Sequence, residues 1–596
     1  MENKEIARLL WETADLLEIA GEDGFRVRSY RNAGQSVENW TTRIADIVSS
    51  GADVKAIDKQ LTEIPGIGKN MAGHLRDIVE RRSLTVRDEI LKKFPPTILD
   101  LLQIRDLGAK RIALIWSTYQ AGSVDEVEKL AKAGKIAELP RMGAKLEQNL
   151  LKAITIWKSS AGRFRIDVAE AAAEKLREYL LAEKGVKVTV AGSLRRRRET
   201  IGDLDLLVTG GKAGGNAGGN AEKQIERMLA YPEITDVVAR GENKVSVRIG
   251  DGMHVDVRFL DPDSYGSAMQ YFTGSKDHNV AIRQRALRLG YTLNEYGLVR
   301  LKDEKRVAGK TEEEIYKKLG LDYIPPELRE NTGEIDAAEN HALPALIETG
   351  DLRGDVHMHT TATDGRASIL EMAEAAQARG LDYIAITDHS KALAMANGLD
   401  EKRIIEQIAE IRKIEKQMSG GFRIFAGCEV DILKDGALDL AGDALAELDV
   451  VIGSVHSYMN LEPREQTDRL LRACENRYLR ILGHPTGRQL LHRDPYPYDF
   501  ERVLEAVAAR GIHMEINSSP ERLDLNERNA RICKERGIKL VISTDAHHPN
   551  HLANARFGVG VARRAWLEKK DVLNTLPAAE FLQALKHGAS RLVSSR

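Results

Sequence analysis

Asp355-Val-His-Met-His359, Ile384-Ala-Ile-Thr-Asp-His389 and Ile424-Phe-Ala-Gly-Cys-Glu429 each read as a short strand that ends in polar, metal-binding residue types, and a helical pattern follows each. The rhythm continues through Val451-Ile-Gly-Ser-Val-His456, Ile481-Leu-Gly-His484, His513-Met-Glu-Ile-Asn517 and Val541-Ile-Ser-Thr-Asp-Ala-His547. Strands alternating with helices predict a parallel βα barrel over 351–596 rather than an antiparallel sheet. Ligand-type residues at the C-terminal ends of the strands are what an active barrel face requires.

His357-x-His359 puts two imidazoles on one face at a strand end, and Asp364 follows in the loop. His389, Glu429, His456, His484, Asp545 and His547 end later strands. Nine nitrogen and oxygen ligands without a thiolate suit Zn²⁺ or Mn²⁺, and nine is too many for one ion. The sequence therefore predicts two or three ions, which would stabilise the charge that develops in phosphodiester or phosphomonoester cleavage. Of the 15 His, only His74, His254, His278 and His341 precede residue 351. His492, His548, His551 and His587 miss the strand ends, and His513 begins a strand, which places it at the opposite end. Lys391 and Arg488 follow ligand motifs and read equally as phosphate holders or surface residues.

The chain has 596 residues, with 88 Lys+Arg against 90 Asp+Glu, so several domains are expected and wholesale disorder is excluded. No apolar run approaches the roughly 18 residues that would span a bilayer, and the N-terminus lacks the pattern of a signal peptide. Cys428, Cys474 and Cys533 are too few for a disulfide framework. A cytoplasmic protein is expected. A net charge of −2 leaves nucleic-acid binding open, because a local patch suffices.

Residues 1 to about 160 read as almost wholly helical, with Leu9, Leu10, Leu16, Leu17 and Ile19 near a 3.6-residue spacing. Ile64-Pro-Gly-Ile-Gly-Lys69, Leu107-Gly-Ala-Lys110 and Leu139-Pro-Arg-Met-Gly-Ala-Lys145 share a Gly-containing turn, a Lys and a following helix. Gly66, Gly68, Gly108 and Gly143 let backbone amides approach a phosphate, while Lys69, Lys110 and Lys145 add positive charge. One such turn is more often an ordinary connection. Three in one region favour sequence-independent grip on a nucleic-acid backbone.

Near 161 the texture changes to a helix over 169–182 and strands Val186–Ala191, Leu204–Thr209, Lys244–Ile249 and Met253–Phe259. The Gly/Asn/Ala tract Gly210–Asn220 is expected to be a flexible surface loop. The informative stretch is Ala191-Gly-Ser-Leu-Arg-Arg-Arg-Arg-Glu-Thr-Ile-Gly-Asp-Leu-Asp-Leu-Leu-Val208. Asp203 and Asp205, two apart on a strand, point to one face, and Asp256 on a later strand can join them. Three converging carboxylates suit two divalent cations and in-line nucleotidyl transfer. An Asp-x-Asp pair alone is usually a solvated edge. The Gly192-Ser193 turn and the fork-shaped donor of Arg196 raise its weight, and the run Arg195–Arg198 reads as a phosphate ligand before a solvated face. Residues 261–325 mix short helices and strands, and Pro325-Pro326 opens a polar connector over 326–350.

On these motifs the first 320 or so residues resemble the family X DNA polymerases of the nucleotidyltransferase superfamily. Residues 351 to about 590 resemble the polymerase-and-histidinol-phosphatase (PHP) domain, and the combination resembles the long bacterial form of the polymerase. The implied fold is multidomain: an all-α helix-hairpin-helix N-terminal region (1–85 and 86–160), an α+β nucleotidyltransferase palm (161–260), a small α/β thumb (261–325), a linker (326–350) and a C-terminal seven-stranded βα barrel (351–596) with a trinuclear site. The resemblance implies that Asp203, Asp205 and Asp256 bind two Mg²⁺, with Asp256 activating the primer 3′-hydroxyl. Ser193, Arg196 and Gly202 would bind the β- and γ-phosphates. Tyr271 and Gly274 would face the ribose, and Asn279 and Arg283 the incoming base and template. Gapped or nicked DNA and dNTPs are the implied partners of a monomer at the nucleoid. The barrel's implied activity is 3′→5′ exonuclease and related 3′-end or abasic-site cleavage, with a small-molecule phosphatase kept open by kinship. Two rival readings are a phosphoesterase with a DNA-targeting N-terminal module and a non-catalytic DNA-end scaffold. Three intact carboxylates argue against both. One departure stands out: where repair members carry a lyase lysine after the first hairpin, this chain has His74.

Overall fold

The computed structural model describes all residues except 2, 41, 52, 96, 105–106, 161, 182–184, 211–217 and 588–596. It divides into two compact units, Met1–Ala161 and Gly162–Arg596. The first is helical, from Asn3–Ile19 to Ala144–Ser160, around a core that includes Leu10, Leu17, Leu75, Ile112 and Ile154. Ile78 and Ile98, on either side of the expected 85/86 boundary, belong to the same apolar cluster.

In the second unit, helix Ile166–Leu181 backs a five-stranded sheet ordered Val186–Val190, Asp203–Gly210, Met253–Leu260, Lys244–Ile249, Ile234–Arg240. The central pair is parallel and sets Asp205 opposite Asp256; every other pairing is antiparallel. Leu204, Leu206, Val208, Val255, Val257 and Phe259 are buried on one face, so period-two alternation turns the acids to the other. The edge strand Ile234–Arg240 escaped sequence reading because it is exposed nearly throughout and lacks that alternation. The expected loop Gly210–Asn220 is shorter than predicted: the strand runs to Gly210 and a helix spans Gly218–Leu229, while 211–217 lie outside the described residues.

Helices Tyr265–Thr273, Lys276–Arg288 and Glu312–Lys318 and a three-stranded antiparallel sheet form the thumb. The expected linker 326–350 is instead folded. It holds a short helix, Glu334–Glu339, and Arg329 is 0% exposed. The Arg329 guanidinium pairs with Glu312 at 2.5 Å and lies over Tyr316 and Tyr323; Glu334 pairs with His278 at 2.6 Å. The segment reads as a polar connector in the sequence, yet Arg329 is buried against the opposite charge of Glu312 and Glu334 against the His278 ring, and both contacts close the thumb core.

The barrel's seven strands pair in sequence order and all in parallel, from Gly354–Asp355 through Leu540–Ser543. A bridge between Met358 and Ala546, with the His359 amide donating to the Ala546 carbonyl at 2.8 Å, joins the first strand to the last. One apolar cluster extends from Leu204 and Val255 in the palm to Leu525 and Phe557 in the barrel.

Candidate active sites

All nine predicted barrel ligands gather at the C-terminal mouth. Within this group His357, His359 and Glu429; His357, His484 and Asp545; His389, Glu429 and His456; and His359, Asp364, His389 and His547 each bring ligand atoms within 4.8 Å of one another. Glu429 lies at the centre. Its Oε2 faces His357 Nε2 at 3.3 Å and His389 Nδ1 at 2.9 Å, and its Oε1 faces His456 Nε2 at 3.3 Å and His484 Nε2 at 2.9 Å. Glu429 and these four imidazoles form a donor set that would hold cations. Buried atoms there lack hydrogen bonds, among them His357 Nε2, His359 Nδ1 and Glu429 Oε2. Burying such atoms unpaired is costly, whereas a cation would satisfy them, so the donor set fits bound metal.

Sequence reading missed Glu515, which is fully buried and accepts from His357 Nδ1 at 2.7 Å and Ser543 Oγ at 2.6 Å. A carboxylate on the far nitrogen fixes the ring so that Nε2 faces inward. Its only sequence signal is its place on the strand His513–Asn517, two residues past His513. Arg522 was also missed: its Nε lies 3.7 Å from Asp545 Oδ2, and its buried Nη1 has no hydrogen-bond partner. The two cations picked from the sequence are engaged elsewhere. Lys391 pairs with Glu401 at 2.5 Å, and Arg488 pairs with Glu199 of the palm at 2.7 Å and donates to the Leu523 carbonyl.

In the palm, Asp203 and Asp205 share a face beside Asp256. Burial, and then the charges of Asp203 and Asp256, push the Asp205 carboxyl up to about 7. Burial also raises Asp256, but bonds from Lys244 (2.6 Å) and Ser246 (2.6 Å) outweigh it and hold Asp256 below its ordinary value. Gly192, at φ +61°, gives Asp205 its room: a Cβ there would lie 2.3 Å from Asp205 Oδ2. Ser193 Oγ is buried without a partner. Crowded carboxylates, one held near neutrality, fit a site that binds cations.

Every member of the Arg run has a carboxylate partner in the structure, which the sequence did not announce. Arg195 pairs with Glu312 at 2.6 Å, Arg196 with Glu330 at 3.1 Å, Arg197 with Glu170 at 2.7 Å and Arg198 with Glu527 at 3.3 Å. Gly202 adjoins Asp203, near Arg163. Gly274 ends helix Tyr265–Thr273 at φ +71°, and Arg196 lies against it. Asn279 accepts from Gln270 at 2.8 Å and donates to the Tyr271 carbonyl at 2.6 Å, so its amide holds the Tyr271 turn. Arg283 is exposed one helical turn later.

In the first unit, Gly68 and Gly108 cap helices Lys69–Arg81 and Ala109–Tyr119 without a side-chain bond. Nothing lies within 4 Å of a Cβ built at Gly68, Gly108 or Gly143, and Lys69, Lys110 and Lys145 are exposed. Gly66 sits at φ +78°. His74 stacks on Tyr30 with centroids 5.6 Å apart, in a cleft of about 720 Å³ that Arg26 and Lys69 also line.

Residues 1–84 match a helix-hairpin-helix domain, 268–330 the DNA polymerase beta thumb and 355–519 the PHP domain. The chain is 34% identical to the DNA polymerase/3′-5′ exonuclease PolX of Bacillus subtilis over 96% of its length and 97% of that protein. The chain belongs to the family X DNA polymerases that carry a PHP domain. A probable phosphatase of Acetivibrio thermocellus is 32% identical over 32% of this family X polymerase and 78% of its own length. The solved polymerase beta of Leishmania infantum, at 23% identity, covers 39% of this family X polymerase and 98% of its own chain, with a TM-score of 0.27.

Proposed function

We propose that this family X polymerase fills short gaps during DNA repair and processes 3′ ends, abasic ends included, with its barrel. The observation that carries the reading is the convergence of Asp203, Asp205 and Asp256 beside the unpaired Ser193 hydroxyl, on the same chain as a separate nine-ligand cluster. The palm carboxylates would hold two Mg²⁺ and the barrel two or three Zn²⁺ or Mn²⁺; such ions, when bound, neutralise charge developing on phosphate. Asp256, kept ionised by Lys244 and Ser246, takes the proton of the primer 3′-hydroxyl. Ser193 Oγ and Arg196 hold the β- and γ-phosphates near Gly202, the turn at Tyr271 and Gly274 faces the ribose, and Asn279 and Arg283 face the base and template. In the barrel, Glu515 orients His357, and Arg522 offers its unpaired Nη1 to the scissile phosphate. A gapped, labelled duplex incubated with dNTPs and either Mg²⁺ or Mn²⁺ tests the reading. It is wrong if the gap is neither filled nor its 3′ end shortened.

The hairpins supply the grip on DNA. Gly68→Val and Gly108→Val place their side chains in open space at ordinary φ, so the fold should persist while backbone approach is blocked. Binding of the double variant to gapped duplex is expected to weaken by about tenfold or more, roughly 1.4 kcal/mol. Wild-type affinity should fall steeply with salt and depend little on sequence. Unchanged affinity in the variant returns these turns to structural connectors.

Lyase chemistry through His74 is expected to be weak or absent, because imidazole cannot form the protonated imine of a primary amine. The cleft retains Arg26 and Lys69 to bind a 5′-phosphate. Borohydride trapping on a 5′-deoxyribose-phosphate end should yield no adduct although binding persists. An adduct lost only in Lys69→Ala would reveal a relocated nucleophile.

A further inference from the structure

We propose that Arg564, the last residue of the barrel helix Ala555–Arg564, is a positioning residue of the polymerase site: by sharing the Glu330 carboxylate it keeps Arg196 available to the incoming nucleoside triphosphate. The inference rests on the reading of Arg196 as a phosphate ligand. Arg196 Nε donates to Glu330 Oε1 at 3.1 Å, and its Nη1 donates to the Thr273 carbonyl at 2.5 Å. The same Glu330 oxygen accepts from Arg564 Nη1 at 2.9 Å, and that nitrogen also donates to the Arg196 carbonyl at 2.9 Å. Arg564 Nη2 donates to Glu527 at 3.0 Å, which in turn faces Arg198 at 3.3 Å. The Arg564 side chain is 4% exposed.

The charges explain the arrangement. Arg196, Arg198 and Arg564 share Glu330 and Glu527, so three cations meet two carboxylates, and the excess cation suits an anionic ligand. Without Arg564, Glu330 has Arg196 as its close partner, because Arg198 reaches it only at 4.0 Å. A triphosphate would then have to draw Arg196 from a half-buried carboxylate and leave that charge uncompensated, which is costly. With Arg564 in place, Glu330 stays paired while Arg196 turns to the phosphates. The barrel thus completes the polymerase's nucleotide site from the helix that begins eight residues after His547.

The test uses the full chain on a gapped duplex and measures KM for the dNTP and kcat separately. Arg564→Ala is expected to raise KM about tenfold with kcat within about threefold. Glu330→Gln, near-isosteric, removes the competing charge and should leave KM unchanged or lower it. The double variant should return KM to within about threefold of wild type, a coupling that a structural clamp would not produce. A rise in KM in Glu330→Gln matching that of Arg564→Ala, or no rescue in the double variant, overturns the proposal. Should Arg564→Ala fail to fold, the Glu330→Gln result alone decides it. Unchanged KM in Arg196→Ala would instead remove the phosphate assignment on which the inference stands.

Discussion

Asp205→Asn is expected to lower primer extension by roughly three orders of magnitude or more and to leave 3′-end cleavage within about twofold. Asp205 faces the shared carboxylate site from the strand paired with that of Asp256. Losing an ion's ligand costs several kcal/mol of transition-state stabilisation, and each 1.4 kcal/mol is about tenfold in rate. The same substitution should stabilise the metal-free protein at neutral pH. A carboxyl raised to about 7 means that the folded state binds more protons than the unfolded state between about pH 4 and 7. Wild-type stability contributed by this group is therefore present at acid pH and lost as pH rises through that window. Asn carries no such charge, so unfolding in chelator at pH 8 should favour Asp205→Asn by about 2–4 kcal/mol, with the advantage shrinking toward pH 4. Extension retained within tenfold of wild type would exclude Asp205 from the site, and a destabilised variant at pH 8 would contradict the charge crowding.

The second large effect belongs to the barrel. His359 belongs to two of the ligand groups, one with His357 and Glu429 and one with Asp364, His389 and His547. His359→Ala is expected to remove at least one tightly held ion per chain and to cut 3′-end cleavage by about three orders of magnitude or more, with extension unchanged. Metal content by mass spectrometry reads the first effect independently of activity. Asp545→Ala should behave alike. If a well-folded His359→Ala protein kept its full metal complement, or lost extension as severely as cleavage, two separate sites would be the wrong description.

Much of this was legible without coordinates. The barrel ligands stood out because a strand's end and its period-two alternation fix where a side chain points, and both are local properties. His357-x-His359 could face only one way, and the same held for Asp203-x-Asp205. The rest was not legible, because long-range pairing leaves no local mark. Nothing near Arg195–Arg198 announces Glu312, Glu330, Glu170 and Glu527 as partners, and a run of four arginines looks the same solvated or paired. Segment 326–350 misled for the same reason: its polarity signals a linker unless the burial of Arg329 against Glu312 is known. Glu515 lies inside its strand rather than at the strand's end, and Arg488 gave no local sign of its partner, since Glu199 lies nearly three hundred residues away. By itself, then, the sequence determined the fold class and the strand ends at which the candidate ligands lie. Only the tertiary structure decided which of the remaining charges approach those ligands and which join the palm to the barrel, because a buried ion pair is defined by the packing that brings its halves together.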